Sequence, residues 1–145
     1  MAGKALIDTG AILALVDTSD AWHVRCAYAF RQLPFPLITS EAVLTELFHL
    51  IGDHRARKAD AWHLIRSGAI ALSPIVHPEL ARIQALMSRY WDRPMDFADA
   101  TLVYLAERES IQVVFTVDQN DFATYRIGGR QRFQVVPVEH PSLGL

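Results

Sequence analysis

The chain has 145 residues, of which 51% are hydrophobic and 21% charged, a composition typical of one globular domain over residues 1–145. Its formal net charge of −2 excludes a nucleic-acid binder that depends on an overall basic charge. Cys26 is the only cysteine, which excludes an internal disulfide framework and a cysteine-rich zinc module. We find neither an apolar run long enough to span a bilayer nor a signal-peptide pattern, and we expect a soluble, cytoplasmic protein.

Strands and helices alternate along the first half of the chain. The predicted elements are a buried strand at 4–7, helices at 11–16 and about 21–33, a strand at 37–39, a helix capped by Thr39 or Ser40, and a helix at about 55–66. Pro34 breaks the second helix, and Gly68 follows the fourth as a suitable cap. The third helix has an apolar stripe that we expect to consist of Val43, Leu47, Leu50 and Ile51.

The alternation continues in the second half. The predicted elements are a strand at 70–76, a helix from 78 to about 90, a helix that begins near Asp96, a strand at 113–117 and a last strand at 135–136. Strands that are apolar on consecutive residues and alternate with helices are typical of a parallel sheet covered on both faces. The sequence therefore predicts an α/β fold, a three-layer α/β/α sandwich with a central, mainly parallel sheet.

Acidic residues fall where such a fold binds its ligands, at the carboxyl ends of strands. Asp8 and Asp118 each follow a predicted strand, Glu46 borders the apolar stripe of its helix, and Asp96 and Asp99 lie three residues apart at the start of another helix. Each acid alone is explained as well by a turn, a helix cap or a solvated flank. Gathered at one edge, however, the carboxylates would repel one another unless a cation joined them, and oxygen-only donors favour Mg²⁺ or Mn²⁺.

Four acidic motifs, in this order and spacing, resemble those of PIN domains. They are Ile7-Asp8-Thr9, Glu41-Ala-Val-Leu-Thr-Glu46, Asp96-Phe-Ala-Asp99-Ala100 and Thr116-Val-Asp118-Gln-Asn-Asp121-Phe122. The resemblance extends from about Lys4 to Pro137, nearly the whole chain. PIN proteins of this compact size resemble the VapC toxins of bacterial and archaeal toxin–antitoxin pairs.

The resemblance implies a metal-dependent endoribonuclease, the toxin of such a pair. It implies that one or two Mg²⁺ or Mn²⁺ ions are bound by Asp8, Glu46, Asp99 and Asp118. It implies auxiliary roles for Asp96, Asp121, Thr9 and Thr116. A metal-activated water would attack the phosphodiester in line and leave a 5′-phosphate. An RNA substrate, a cognate antitoxin and a homodimer are also implied. Gly10 departs from the pattern, since many relatives carry Ser or Asn at this position.

Contacts with the RNA backbone need local positive charge, because the chain as a whole is slightly acidic. The two basic stretches are Arg55, Arg57, Lys58 and Arg66, and Arg126, Arg130 and Arg132. Charged helix residues are more commonly a solvated face. Candidates for base stacking are Trp22, Trp62, Trp91 and Tyr125, although aromatic residues at helical positions more commonly belong to a core or a subunit interface.

Two alternatives stay open at this point. One is a non-catalytic module that keeps the fold and binds RNA or a protein, which the presence of all four acidic motifs disfavours. The other is a DNA flap nuclease or exonuclease of related fold, whose additional arches and helices would find little room in 145 residues.

Overall fold

A five-stranded parallel sheet forms the centre of the computed structural model, which describes residues 4–138. The strands in chain order are β1 (Ala5–Ile7), β2 (Leu37–Thr39), β3 (Ile70–Leu72), β4 (Val113–Phe115), β5 (Arg126–Ile127), β6 (Gln131–Arg132) and β7 (Gln134–Val136). The order across the sheet is β3-β2-β1-β4-β7, and β5 pairs with β6 in a separate antiparallel hairpin. All pairings within the five-stranded sheet are parallel, as predicted.

Strand β1 lies at the centre of the sheet. Leu6 is in register with Ile38 of β2 on one side and with Val114 of β4 on the other. Ala5, Leu6 and Ile7 are all completely buried, although successive side chains of a strand point to opposite faces. Both faces of the sheet are therefore covered, which confirms the predicted α/β/α layering.

Seven α-helices occur within residues 4–138. They are α1 (Thr9–Val16), α2 (His23–Gln32), α3 (Glu41–Ile51), α4 (Arg55–Arg66), α5 (Leu80–Arg89), α6 (Phe97–Glu109) and α7 (Gln119–Thr124). The Ser40 hydroxyl accepts a hydrogen bond from the N–H of Val43 at 3.3 Å and so caps α3, as predicted. None of these helices is long and apolar enough to cross a membrane.

Several predicted bounds differ from the structure. Helix α1 begins at Thr9 rather than at residue 11, because Asp8 caps it. The strand expected at 70–76 ends at Leu72, just before Pro74, which cannot donate to a sheet ladder. A 3₁₀ turn over His77–Glu79 precedes α5 where one continuous helix was predicted. Leu50 is 55% exposed, so the apolar stripe of α3 does not include it.

Helix α7 and the β5–β6 hairpin were not predicted. The hairpin turns at Gly128 and Gly129, whose φ angles of 60° and 77° lie in the left-handed region that glycine adopts without strain. Its strands have only two residues each, too few to show an alternating pattern. Short elements of this kind are held by their neighbours rather than by their own sequence. The remainder of the predicted domain, residues 1–3 and 139–145, lies outside the described residues.

Candidate active site

Asp8 lies at the carboxyl edge of the sheet, between β1 and β4. Its backbone N–H donates to the carbonyl of Phe115 at 3.0 Å, which continues the pairing of the two strands by one residue. One carboxylate oxygen accepts the N–H of Thr9 at 2.7 Å, and the other accepts the hydroxyl of Thr116 at 2.9 Å. The side chain is 2% exposed, so its orientation is fixed by these two bonds.

The Thr116 hydroxyl links Asp8 to the loop that carries Asp118. It is completely buried, donates to Asp8 Oδ2, and accepts the backbone N–H of Asp118 at 2.9 Å. Asp118 itself is exposed and precedes the first turn of α7. A single hydroxyl therefore fixes the relative position of two of the predicted metal ligands.

Asp99 is held at the start of α6 by a reciprocal capping arrangement. Its N–H donates to Asp96 Oδ1 at 2.8 Å, and the Asp96 N–H reaches Asp99 Oδ2 at 3.5 Å. The same Oδ2 accepts the hydroxyl of Tyr125 at 3.3 Å. Asp99 is 9% exposed, whereas Asp96 lies at the surface, so the two acids of this motif occupy different environments.

Glu46 borders an open groove of about 700 Å³ beside these acids. The groove is lined by Glu41, Ala42, Thr45, Glu46, His49, Asp96, Phe97 and Ala98. Its two walls are α3 and the start of α6. Ser40 and Thr101 connect these helices through a buried hydroxyl–hydroxyl hydrogen bond of 2.7 Å. Glu46 and Asp96 are therefore reached from solvent through this groove.

Burial and mutual repulsion raise the pKa values of the clustered acids. Burial raises the pKa of Asp8 to about 7, despite the lowering effect of its hydrogen bonds from Thr9 and Thr116. Burial, followed by the charges of Asp8 and Asp96, raises the pKa of Asp99 to about 8. The pKa of Asp118 is also raised, first by partial loss of solvent and then by Asp121, Glu46 and Asp96. Each acid is thus within electrostatic range of others in the set.

The donors at this edge match the chemistry of a hard divalent cation. Among the ion pairs within residues 4–138, none engages Asp8, Glu46, Asp99 or Asp118. No ion pair between described residues therefore neutralises their charges. In the same part of the chain, no group of three His, Cys, Asp or Glu side chains is arranged to hold a metal ion as the structure stands. Oxygen donors that repel one another and lack an internal counter-charge suit Mg²⁺ or Mn²⁺.

Gly10 is explained by its contact with Val117. A Cβ at position 10 would lie 2.4 Å from Val117 Cγ2, far inside the contact distance of two carbons. Val117 stands between Thr116 and Asp118, so a larger residue at position 10 would press on the loop that carries both. The Ser or Asn of the family pattern does not fit here without a shift of Val117.

Arg130 and Arg132 of the second basic stretch lie away from the acids. The backbone carbonyl of Arg132 accepts the side-chain amide of Gln112 at 3.2 Å, which places it at the amino end of β4, the opposite edge from Thr116. Arg130 follows the turn at Gly128, whose N–H donates to Glu107 near the end of α6. The structure therefore does not bring Arg130 and Arg132 together with the acids.

Two of the predicted basic residues have structural partners instead. The Arg126 guanidinium donates to the carbonyls of the last residues of α7 at 2.8–3.0 Å and closes that helix. Arg57 forms a 2.9 Å ion pair with Asp17, just after α1. Arg55 and Arg66 are exposed, and Lys58 is half-buried. Within the first stretch, the positive charge of Arg57 is therefore paired with Asp17.

The aromatic candidates for base stacking differ in their burial and in their contacts. Tyr125 is completely buried, so the suggestion that it stacks on bases is wrong. Trp22 lies beneath the guanidinium of Arg25 at 3.8 Å, and Trp62 packs against Phe48 with ring centroids 4.8 Å apart. Trp91 is 82% exposed. The hydrogen bond between Tyr125 and Asp99 had no sequence signal, since the two residues are 26 positions apart.

Comparisons with known proteins show which family the chain belongs to. The family model described as the PIN domain matches residues 5–127. The chain is 28% identical over 142 residues to Ribonuclease VapC26 of Mycobacterium tuberculosis (strain ATCC 25618 / H37Rv), covering 91% of this chain and 99% of that protein. The crystal structure of M. tuberculosis VapC20, described as a toxin that cleaves the sarcin–ricin loop, aligns with a TM-score of 0.69 and 24% identity over 77% of this chain and 87% of that one. The matched residues include all four acidic motifs, and the chain belongs to the PIN domain family.

Proposed function

We propose that the protein is a Mg²⁺- or Mn²⁺-dependent endoribonuclease of the cytoplasm and the toxin of a toxin–antitoxin pair. The observation that carries the proposal is the Thr116 hydroxyl, which joins the Asp8 carboxylate to the backbone of Asp118 at the carboxyl edge of the sheet. A buried threonine that serves two acids is a supporting contact of the kind that metal ligands require. The similarity to Ribonuclease VapC26 over 91% of the chain supports the same function.

The residues that would hold the metal are Asp8, Glu46, Asp99 and Asp118. When bound, the ion supplies a hydroxide at neutral pH and neutralises charge on the phosphate oxygens. The chain's own contribution is orientation: the N–H of Thr9 and the hydroxyl of Thr116 fix both oxygens of Asp8.

Asp96 and Asp121 have auxiliary roles and are not among the proposed metal ligands. Asp96 uses Oδ1 to accept the N–H of Asp99 and so keeps the start of α6 in place. Asp121 lies in the first turn of α7 and adds to the negative charge around Asp118. Neither role needs direct contact with an ion, which separates them from the four principal acids.

RNA would enter along the groove between α3 and α6. Glu46 and Asp96 line this groove, so a strand that lies in it passes beside the acids. Arg130 and Arg132 lie at the opposite edge of the sheet and would contact only nucleotides distant from the cut. Arg55 and Lys58 of α4 remain candidates for contacts with the RNA backbone. Backbone contacts of this kind bind RNA of any sequence alike.

A homodimer is proposed from the exposed apolar side chains next to this groove. Phe97, Leu80 and Trp91 are 47%, 40% and 82% exposed, and all three line one surface depression. An apolar surface of this kind is typical of a protein–protein interface. The cognate antitoxin would bind at the acidic groove, where it would compete with RNA.

A cleavage assay with a matched pair of variants tests the function. We expect the wild type to cleave structured RNA in the presence of Mn²⁺ and to lose this activity when EDTA is added. Asp8→Asn should abolish cleavage, while Asp53→Asn, a change of an exposed acid after α3, should leave it intact. Equal activity of Asp8→Asn and the wild type would contradict the proposal, and so would activity that persists in EDTA.

The chemistry of the product separates this mechanism from its alternatives. Attack by a water leaves a 5′-phosphate and does not need the neighbouring 2′-hydroxyl, so a substrate with a single 2′-deoxynucleotide at the cut should still be cleaved. A 2′,3′-cyclic phosphate at the new end would refute hydrolysis by an activated water. A protein that binds RNA and Mn²⁺ but cuts nothing would be the non-catalytic module, and preferential cutting of DNA flaps would indicate the related nucleases.

A further inference from the structure

Tyr125 is a buried residue whose ring is held rigidly beside the acids. It follows α7 and is completely buried. Its ring meets Tyr90 edge-on at 5.1 Å and Phe122 edge-on at 5.2 Å, with interplanar angles of 68° and 82°. Two edge contacts at such angles fix the plane of the ring. The direction of the phenolic O–H is therefore set by the core and not by solvent.

The Tyr125 hydroxyl forms a hydrogen bond with Asp99. It donates to Asp99 Oδ2 at 3.3 Å, and it has no other partner among residues 4–138. A buried hydroxyl needs such a partner, and a phenylalanine would fill the same space without requiring one. The hydroxyl is thus explained by its contact with Asp99 rather than by packing.

The hydrogen bonds of Asp99 leave one of its oxygens available. Both bonds to the carboxylate, from Tyr125 at 3.3 Å and from the N–H of Asp96 at 3.5 Å, go to Oδ2. Oδ1 accepts none within the described residues, and no buried side-chain oxygen there lacks a partner, so Oδ1 is open to solvent. Tyr125 makes the shorter of the two contacts that hold the carboxylate in this orientation.

We propose that Tyr125 is a positioning residue that directs Oδ1 of Asp99 toward the metal. This inference depends on the proposed function and adds a residue to it. The segment 116–125 then supports the site twice, through the Thr116 hydroxyl on Asp8 and through the Tyr125 hydroxyl on Asp99. Loss of an outer contact to a metal ligand commonly reduces metal affinity or activity about 10- to 100-fold.

Tyr90→Phe provides a matched control for Tyr125→Phe. The two tyrosines are in contact, both are buried, and each substitution removes one hydroxyl. The Tyr90 hydroxyl accepts the backbone N–H of Arg126 at 3.0 Å and does not contact an acid. A general effect of a lost core hydroxyl would appear in both variants, whereas an effect through Asp99 would appear only in Tyr125→Phe.

The test is Mn²⁺ binding by isothermal titration, with cleavage kinetics beside it. We expect Tyr125→Phe to raise the Kd for Mn²⁺ about 10-fold or more and to lower kcat, with KM for RNA changed less than twofold. Tyr90→Phe should bind Mn²⁺ as the wild type does. Equal Kd values for Tyr125→Phe and the wild type, or equal losses in both variants, would overturn the positioning role.

A double-mutant cycle tests whether the effect passes through Asp99. In an Asp99→Asn background, Tyr125→Phe should have no further effect on the Kd for Mn²⁺. A further loss in that background would show that Tyr125 acts by another route. If the wild type binds no Mn²⁺, the proposed function fails as well. If the wild type binds and cuts while the cycle shows no coupling, only the positioning role fails.

Discussion

Replacement of Asp99 by asparagine should stabilise the metal-free protein, and increasingly so as the pH rises. The pKa of Asp99 is raised from 3.8 to about 8 by burial and by the charges of Asp8 and Asp96. An acid with a raised pKa binds its proton more tightly in the folded than in the unfolded protein. Its contribution to stability is therefore fully present below about pH 4 and is lost as the pH rises to about 8.

The size of the effect follows from that difference. Full ionisation of Asp99 costs about 6 kcal/mol of folding free energy, at about 1.4 kcal/mol for each pH unit between the two values. Asparagine has a similar shape and never ionises, so it avoids this cost. We expect the free energy of unfolding of Asp99→Asn to exceed that of the wild type by about 1 kcal/mol at pH 4.5 and by about 6 kcal/mol at pH 8.5. For a chain of this length, the larger gap corresponds to a Tm increase of roughly 10 °C or more.

The assay is thermal unfolding in EDTA at the two pH values, repeated with Mn²⁺. Asp96→Asn is the control, because Asp96 is exposed and asparagine keeps its capping bond to the N–H of Asp99. Its gain in stability with rising pH should be much smaller than that of Asp99→Asn, because it removes one of the charges that raise the pKa of Asp99 but leaves the buried carboxylate itself in place. Mn²⁺ at 100 times its Kd should increase the free energy of unfolding of the wild type by about 2.7 kcal/mol. The increase should be smaller for Asp99→Asn, which lacks one of the proposed ligands. A gap between Asp99→Asn and the wild type that is equal at both pH values would refute the reasoning, as would cleavage by Asp99→Asn at the normal rate.

Three further predictions concern the packing of the site, the RNA path and the oligomer. Gly10→Ala should cost about 1–3 kcal/mol of stability by overpacking, and Val117→Ala should restore most of it in the double variant, as measured by urea unfolding. Replacement of both Arg130 and Arg132 by Ala should raise KM more than it lowers kcat and flatten the log–log salt dependence by roughly 0.7 per lost contact; an unchanged slope would show that RNA does not reach the hairpin. Trp91→Ser should weaken self-association in sedimentation experiments, and a wild type that is monomeric at micromolar concentration would contradict the dimer.

The layers of the fold could be predicted because short strands that are apolar on consecutive residues, in alternation with helices, leave a strong pattern. Helix α4 begins at Arg55 and ends at Arg66 as expected, and Ser40 caps α3 as expected. The order of the strands could not be predicted, since it depends on which elements meet after long excursions of the chain. The β5–β6 hairpin was missed because two-residue strands carry no period.

The acids of the site could be proposed from sequence, but their supports could not. Asp8 and Asp118 follow strands, and that position alone directs attention to them. The raised pKa values of Asp8 and Asp99 come from burial, which no local pattern reports. The contact of Gly10 with Val117 and the bond from Tyr125 to Asp99 likewise join residues far apart in the chain. Sequence spacing proposes the donors, whereas only packing shows how their carboxylates are oriented.

The distance along the chain between Asp8 and Thr116 has a consequence during protein synthesis. The hydroxyl that holds Asp8 is added 108 residues after it, and β4, which pairs with β1, is made just before that hydroxyl. While residues 113–125 are still within the ribosome, β1 lacks a neighbour on one side, Asp8 lacks its threonine and Asp99 lacks its tyrosine. A nascent chain therefore cannot complete the contacts of Asp8 and Asp99 until residues 113–125 have left the ribosome. The fold orders the two buried acids only in a late step of synthesis, after β4 has joined β1.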